Sequence, residues 1–286
     1  MCRLFALHAG DRDVGAEFWL LDAPTSLAAQ SEVNADGFGL AALTADDGLL
    51  LVRNPVQAAA DRTYQGVARQ AEACQFLVHL RYADTGGVSL SNTHPFLFDG
   101  RVFAHNGVVG DLERLEHRLG EHRAMVNGET DSERVFALIT LHIRAAGGDV
   151  RTGVAAAVRE LAEDFELYSI NFVLGEVGHL WAFRYPEHNP LLILEHAGEG
   201  EAALVERDAH GTLHMRADRR DHERMVVIAS ERMDADPGWA DVGVGELVHV
   251  GPDIRVDRDT LLTEPPRHPM TLSGRAERSQ AYERDE

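Results

Sequence analysis

Met1-Cys2-Arg3-Leu4-Phe5-Ala6-Leu7-His8 opens the chain, and its second residue decides how the rest is read. Cys2 has a short side chain, so an initiator methionine before it is open to trimming, which would leave a cysteine with a free α-amino group. Such a residue carries a thiol of pKa about 8.5 beside an amine of about 8. Roughly one amine in seven is neutral at pH 7 and can accept the thiol's proton. Nucleophile and base then sit on a single residue. The stretch after Cys2 has neither the basic n-region nor the long apolar h-region of a secretory signal. Taken alone, it also fits an ordinary buried cysteine on an N-terminal strand.

The 286 residues suffice for one large domain or two small ones, and the 44% hydrophobic content supplies a sizeable core. No apolar run approaches the roughly 18 residues of a membrane-spanning helix. A net charge of −20 argues against nucleic acid or an anionic membrane as partner, since both call for a basic face. The cysteines are Cys2 and Cys74 alone, too few for a disulfide framework in a chain of this size. Reduced thiols and a cytoplasmic location are the expectation, with Cys74 as plain core.

Alternation predicts a strand over 2–9. Asp11 to Leu21 reads as a short helix followed by a loop to about Asn34. Strands over 37–43 and 49–53 flank an Asp47-Gly48 turn, residues 56–72 have helical spacing, and Gln75 to Ala83 reads as a strong strand. A Gly, Ser, Asn and Thr-rich loop runs from Asp84 to His94. A hairpin with an Asp99-Gly100 type I′ signal then leads into His105-Asn106-Gly107. Helices are expected at about 111–122, 132–146 and 150–165, with Thr130 and Glu133 as a capping box for the second. From Ser169 onward the pattern turns to strands, at 169–176, 179–185, 190–195, 212–217, 225–230 and 246–250. Strands, then helices, then strands predict a layered α+β sandwich with its sheets inside. No linker divides residues 2–263, read as a single domain, and the polar residues 264–286 read as a loose tail.

Five segments carry chemistry: Cys2-Arg3-Leu4-Phe5, Asn34-Ala35-Asp36-Gly37-Phe38-Gly39, His79 to Gly86, Asn92-Thr93-His94-Pro95-Phe96 with Ala104-His105-Asn106-Gly107, and Gly128-Glu129-Thr130-Asp131-Ser132-Glu133. In this order, with the cysteine second, they resemble the glutaminase domain of class II glutamine amidotransferases, the N-terminal-nucleophile type. The chain is similar above all to the short stand-alone members, among them the γ-glutamyl hydrolase of ergothioneine biosynthesis. The resemblance covers about residues 2–135 and continues more weakly to Ala229-Ser230-Glu231 and Asp236-Pro237-Gly238-Trp239. It implies a four-layer αββα sandwich and no cofactor or metal.

It also implies roles. Cys2 is the nucleophile, adding to a carboxamide carbon to form a thioester. Asn106 and Gly107 form the oxyanion hole, whose donors must be in place before charge develops. Arg81, with Tyr82 and Ala83 beside it, offers two parallel N–H donors to an α-carboxylate, and Asp131 takes the α-ammonium. Asn34, Asp36, His94 and His105 are supporting residues, as is Asp84. With neither a His-Glu-x-x-His nor a paired-cysteine pattern, the histidines at 79, 94 and 105 read as structural rather than zinc ligands. Asp84 departs from the family, which has Ser or Thr there. A carboxylate at that point would repel the substrate's own by a few kcal/mol, at an effective dielectric of about 20, and this weakens free glutamine as the substrate.

No Gly-rich phosphate loop or dinucleotide fingerprint occurs. The expected function is hydrolysis of glutamine or another γ-glutamyl amide. The alternatives are a glutaminase subunit passing ammonia to a separate synthetase, and a non-catalytic glutamine-binding regulator.

Overall fold

Successive side chains of the first strand enter two different cores, and that division sets the architecture. In β1 (Arg3–His8), Leu4 and Ala6 join one apolar cluster while Phe5 and Leu7 join another, as alternation across a strand requires. The structure, a computed structural model, describes residues 2–46, 48–83, 85–196, 203–207, 213–217, 224–274 and 277.

Further strands are β2 (Phe38–Leu43), β3 (Leu49–Asn54), β4 (Gln75–Leu80), β5 (Phe96–Phe98), β6 (Arg101–Val109), β7 (Glu166–Glu176), β8 (His179–Arg184), β9 (Leu192–His196), β10 (Met225–Ala229), β11 (Glu246–Val250) and β12 (Val256–Thr260). The helices are α1 (Leu27–Gln30), α2 (Arg62–Gln70), α3 (Leu112–Leu119), α4 (Asp131–Ala145) and α5 (Val150–Asp164). One sheet runs Ala240–Asp241, β9, β10, β1, β4, β2, β3, and the second runs β12, β11, β8, β7, β6, β5. A separate hairpin pairs Ala203–Arg207 with Leu213–Ala217.

Three apolar clusters lie between four layers. Leu4, Ala6, Leu77, Val102, Ala104 and Val173 fill the space between the sheets. Phe5, Trp19, Phe38, Tyr64 and Val78 bind the first sheet to α1 and α2. Phe103, Phe136, Leu161, Phe172 and Phe183 bind the second sheet to the helices α3 to α5. Each such Leu or Phe contributes about 1.5–3 kcal/mol by leaving water. The expected αββα sandwich is the observed fold.

Four details differ from expectation. Asp11 to Leu21 is not a helix: Val14–Gly15 bridges Glu72–Ala73, and a five-residue π-type turn follows at Phe18–Asp22. Burial of Trp19, edge-on against Trp239 at 6.1 Å, outweighs local helical preference. The helix expected over 56–72 breaks at Asp61, whose carboxylate caps α2 through the Tyr64 N–H at 2.8 Å. Strand β4 ends at Leu80 rather than Ala83. The capping box is half made: Thr130 accepts the Glu133 N–H at 3.3 Å, whereas the Glu133 carboxylate turns to the Asn127 and Gly128 N–H groups.

Much of the segment expected to be a loose tail is tied down. His268–Pro269 adds to β7 in parallel, and the Arg267 N–H donates to the Ala162 carbonyl at 2.9 Å. Asp47, of the first expected turn, lies outside the described residues, as do residues 278–286.

Candidate active site

Strand ends converge at one end of the sandwich. β1 pairs with β4 so that Leu4 faces His79 and Arg3 faces Leu80. Cys2 therefore emerges where β4 gives way to Arg81-Tyr82-Ala83. Its sulfur accepts the Tyr82 N–H at 3.4 Å and stands 3.5 Å from the Tyr82 carbonyl oxygen. On the other side, Ser230 clasps Leu4 through two hydrogen bonds of 2.9 and 3.0 Å. Arg3 pairs with Glu231 at 3.3 Å and reaches the Cys2 carbonyl at 3.5 Å.

β6 reaches the same end from the second sheet. Across the inner layer it runs in the direction of β4. Val102 pairs with Gly175, where a Cβ would stand 2.8 Å from Leu77, and further on His79 Nε2 meets the His105 carbonyl at 3.2 Å. Leu4 and Ala6 on β1, and Val102 and Ala104 on β6, point into the inner layer. Cys2 and Asn106 continue those two rows. Among the described residues the buried Asn106 amide has no hydrogen-bond partner, which leaves its N–H groups free for a ligand. Gly107 is required by the protein itself: a Cβ there would meet the Ser169 carbonyl oxygen at 1.9 Å. Just beyond, a bulge between Val108 and Val109 releases the Val109 N–H, which donates to Asp131 Oδ2 at 2.9 Å. Burial raises the Asp131 carboxyl above its ordinary pKa, despite this bond and one from Ser132.

Arg81 is buried, and its guanidinium donates to the carbonyls of Thr85 and Gly87 at 2.9 Å each and of Gly86 at 3.4 Å. This turn is latched in place. The Gly87 N–H and Asn92 Nδ2 both donate to Glu129 Oε2 at 3.1 Å, and Asn92 Oδ1 accepts the Glu129 N–H at 2.8 Å. Asp36 buttresses the other flank, accepting the Ala83 N–H at 2.8 Å while its own N–H donates to the Arg81 carbonyl. Asn34 donates to the Gln30 carbonyl at 3.2 Å. His105 Nδ1 lies 2.9 Å from Ser132 Oγ, which ties the start of α4 to β6. The buried His94 ring packs between His79 and Phe96, with centroids 4.1 and 4.5 Å away and planes tilted by 34° and 52°. Asp84 lies outside the described residues, as does Met1.

Residues 1–260 match the model of the class-II glutamine amidotransferases. The chain belongs to that family. It is 33% identical over 129 residues to the glutamine–fructose-6-phosphate aminotransferase of Idiomarina loihiensis, covering 44% of this chain but only 20% of that enzyme. With the Escherichia coli protein YafJ it shares 29% identity over 184 residues, 61% of this chain and 69% of that protein. Its fold is that of the glutamine phosphoribosylpyrophosphate amidotransferase from Bacillus subtilis: TM-score 0.64 at 15% identity, over 92% of this chain and 50% of the other.

Within this amidotransferase domain the site includes residues that the motifs do not mark. Asn171 faces Asn106 across the strand pair. Ser169 Oγ stands 3.5 Å from the Asn106 carbonyl and accepts Asn189 Nδ2 at 2.7 Å. Asn171 carried a signal, as the polar residue in the apolar run Ile170-Asn171-Phe172-Val173-Leu174; Asn189 carried none. Another opening, a groove of about 720 Å³ between α3 and α5, lies on the outer helical face. Two ion pairs line it, Arg118 with Glu160 and Arg114 with Asp164. Among the described residues no helix is long and apolar enough to cross a membrane, and no group of three His, Cys, Asp or Glu is disposed to hold a metal ion.

Proposed function

We propose that this amidotransferase domain hydrolyses a γ-glutamyl amide, glutamine or a γ-glutamyl-linked metabolite, with Cys2 as N-terminal nucleophile once Met1 is removed. The observation that carries this reading is the Cys2 sulfur seated on the Tyr82 peptide, beside Arg81 and at the same end of the sandwich as the unpartnered Asn106 amide.

The α-amine takes the thiol proton, and the thiolate adds to the carboxamide carbon. The oxyanion that forms is held by Asn106 Nδ2–H and the Gly107 N–H. Collapse expels ammonia or an amine, which takes its proton from the α-ammonium, and leaves a glutamyl-thioester. Water, deprotonated by the same amine, then releases glutamate and restores the thiol. Asp131 pairs with the substrate's α-ammonium. For Arg81 to take the α-carboxylate, the Thr85–Gly87 turn must give up its bonds to the guanidinium, exchanging neutral carbonyl acceptors for a stronger charged one.

Intact mass before and after treatment with 6-diazo-5-oxo-L-norleucine, a glutamine-shaped electrophile, tests this. The expected result is a chain lacking Met1 that gains one adduct, lost in Cys2→Ala together with ammonia release from L-glutamine. An adduct elsewhere, or turnover that survives Cys2→Ala, overturns the reading.

A second reading is that the domain passes ammonia to a separate synthetase, since the Idiomarina relative it resembles over 20% of that enzyme's length is named an aminotransferase. Negligible turnover alone, rising when a co-purifying subunit is added, distinguishes it from the first.

A further inference from the structure

His79 stands where the parts of the proposed site meet. On β4 it is cross-strand partner to Leu4, two residues from Cys2, and it lies two residues before Arg81. Its Nε2 is 3.2 Å from the carbonyl of His105, the residue before Asn106. Apolar side chains make up much of the filling between the sheets, and they resist separation but leave sliding cheap. A directed hydrogen bond across that space fixes both distance and register.

We infer that His79 is a positioning residue: its Nε2–H···O=C bond to His105 sets where the oxyanion donors of β6 stand relative to Cys2 on β1. This rests on the hydrolase reading above. The bond also assigns the tautomer. A carbonyl only accepts, so Nε2 carries the hydrogen and Nδ1 is bare; among the described residues Nδ1 has no partner. The ring is wholly buried, and burial together with the nearby Arg81 charge opposes a positive charge there, outweighing the pull of the His105 carbonyl. Contact with the His94 ring, 4.1 Å away and tilted by 34°, restricts its rotation. Cutting the bond leaves Arg81 and Asp131 with their own anchors, so substrate binding should persist while the chemical step slows. A misplacement of about 1 Å between reacting groups slows reaction on the order of 100-fold.

The test is steady-state and single-turnover kinetics with L-glutamine and L-γ-glutamyl-p-nitroanilide on the whole chain. His79→Leu should lower kcat by roughly 10–100-fold with KM within about twofold of wild type. His79→Gln places an amide N–H near the position of Nε2 and should restore most of the loss; His79→Asn, too short, should not. An unchanged kcat in His79→Leu overturns the role, as does a loss confined to KM, or equal losses in the Leu and Gln variants. If His79→Leu does not fold, the Gln and Asn variants decide, and equal rates in those two overturn it. Wild-type turnover that survives Cys2→Ala would sink the hydrolase reading itself, an outcome separate from any of these.

Discussion

Asp131 shows what single residues in this site trade away. Its carboxylate is buried at the start of α4, held by the Val109 N–H and the Ser132 hydroxyl. Burial raises its pKa above the ordinary 3.8. The contribution to folding is therefore full below that value and is lost as pH climbs through the folded pKa, so at pH 7 the ionised group costs stability. Asp131→Asn keeps an oxygen for Val109 and removes the charge. Its thermal midpoint at pH 7 should stay level or rise, while kcat/KM falls about 10–100-fold from loss of a charged hydrogen bond. A marked drop in midpoint with unchanged kinetics would give Asp131 a structural role only. At this scale the motifs were legible in which residues gather at one end of the sandwich, Cys2, Asp36 and Asp131 among them. Arg81 was legible as a residue but not in its present engagement, because a backbone turn folding over a guanidinium leaves no pattern in side-chain identity.

Elements were legible where apolar residues recur with the spacing, or over the run length, of a strand or helix. β1, β2, β4, β6 and the helices α3 to α5 follow such patterns. The stretch from Asp11 to Leu21 does not, because Val14, Trp19 and Leu20 are placed by contact with distant residues rather than by spacing. β12 escaped notice for a different reason: Val256-Asp257-Arg258-Asp259-Thr260 is an edge strand of charged residues, held by pairing with β11. One prediction belongs to the turn after β4. Glu129 and Asn92 latch it from outside, so Glu129→Ala should speed hydrogen exchange at the Gly87 amide roughly tenfold. KM should change with it while the chemical step holds, since no reacting group is touched. Unaltered exchange would mean that Arg81 alone holds the turn.

Across the whole molecule, four buried or half-buried histidines are held toward the neutral form. Burial lowers the pKa of His8, His79, His94 and His249, in the case of His79 to about 3. For a group depressed in the folded state, stability is present above the unfolded value of 6.5 and is lost as pH falls toward the folded one. Each fully depressed histidine removes about 1.4 kcal/mol per pH unit in that window. The urea midpoint should therefore fall steadily from pH 6.5 to 4.5, and His94→Phe should flatten the slope; a level profile would contradict the buried neutral histidines. The layered class of the fold was legible from the order of strands and helices. Sheet order was not, because it depends on which distant strands meet. That order has a consequence for synthesis. The first strand to leave the ribosome is an inner one, and its second neighbour is built from residues 225–229. Until those emerge, an apolar ribbon waits with one side unmatched, so nascent chains stalled short of them should draw chaperones and clump.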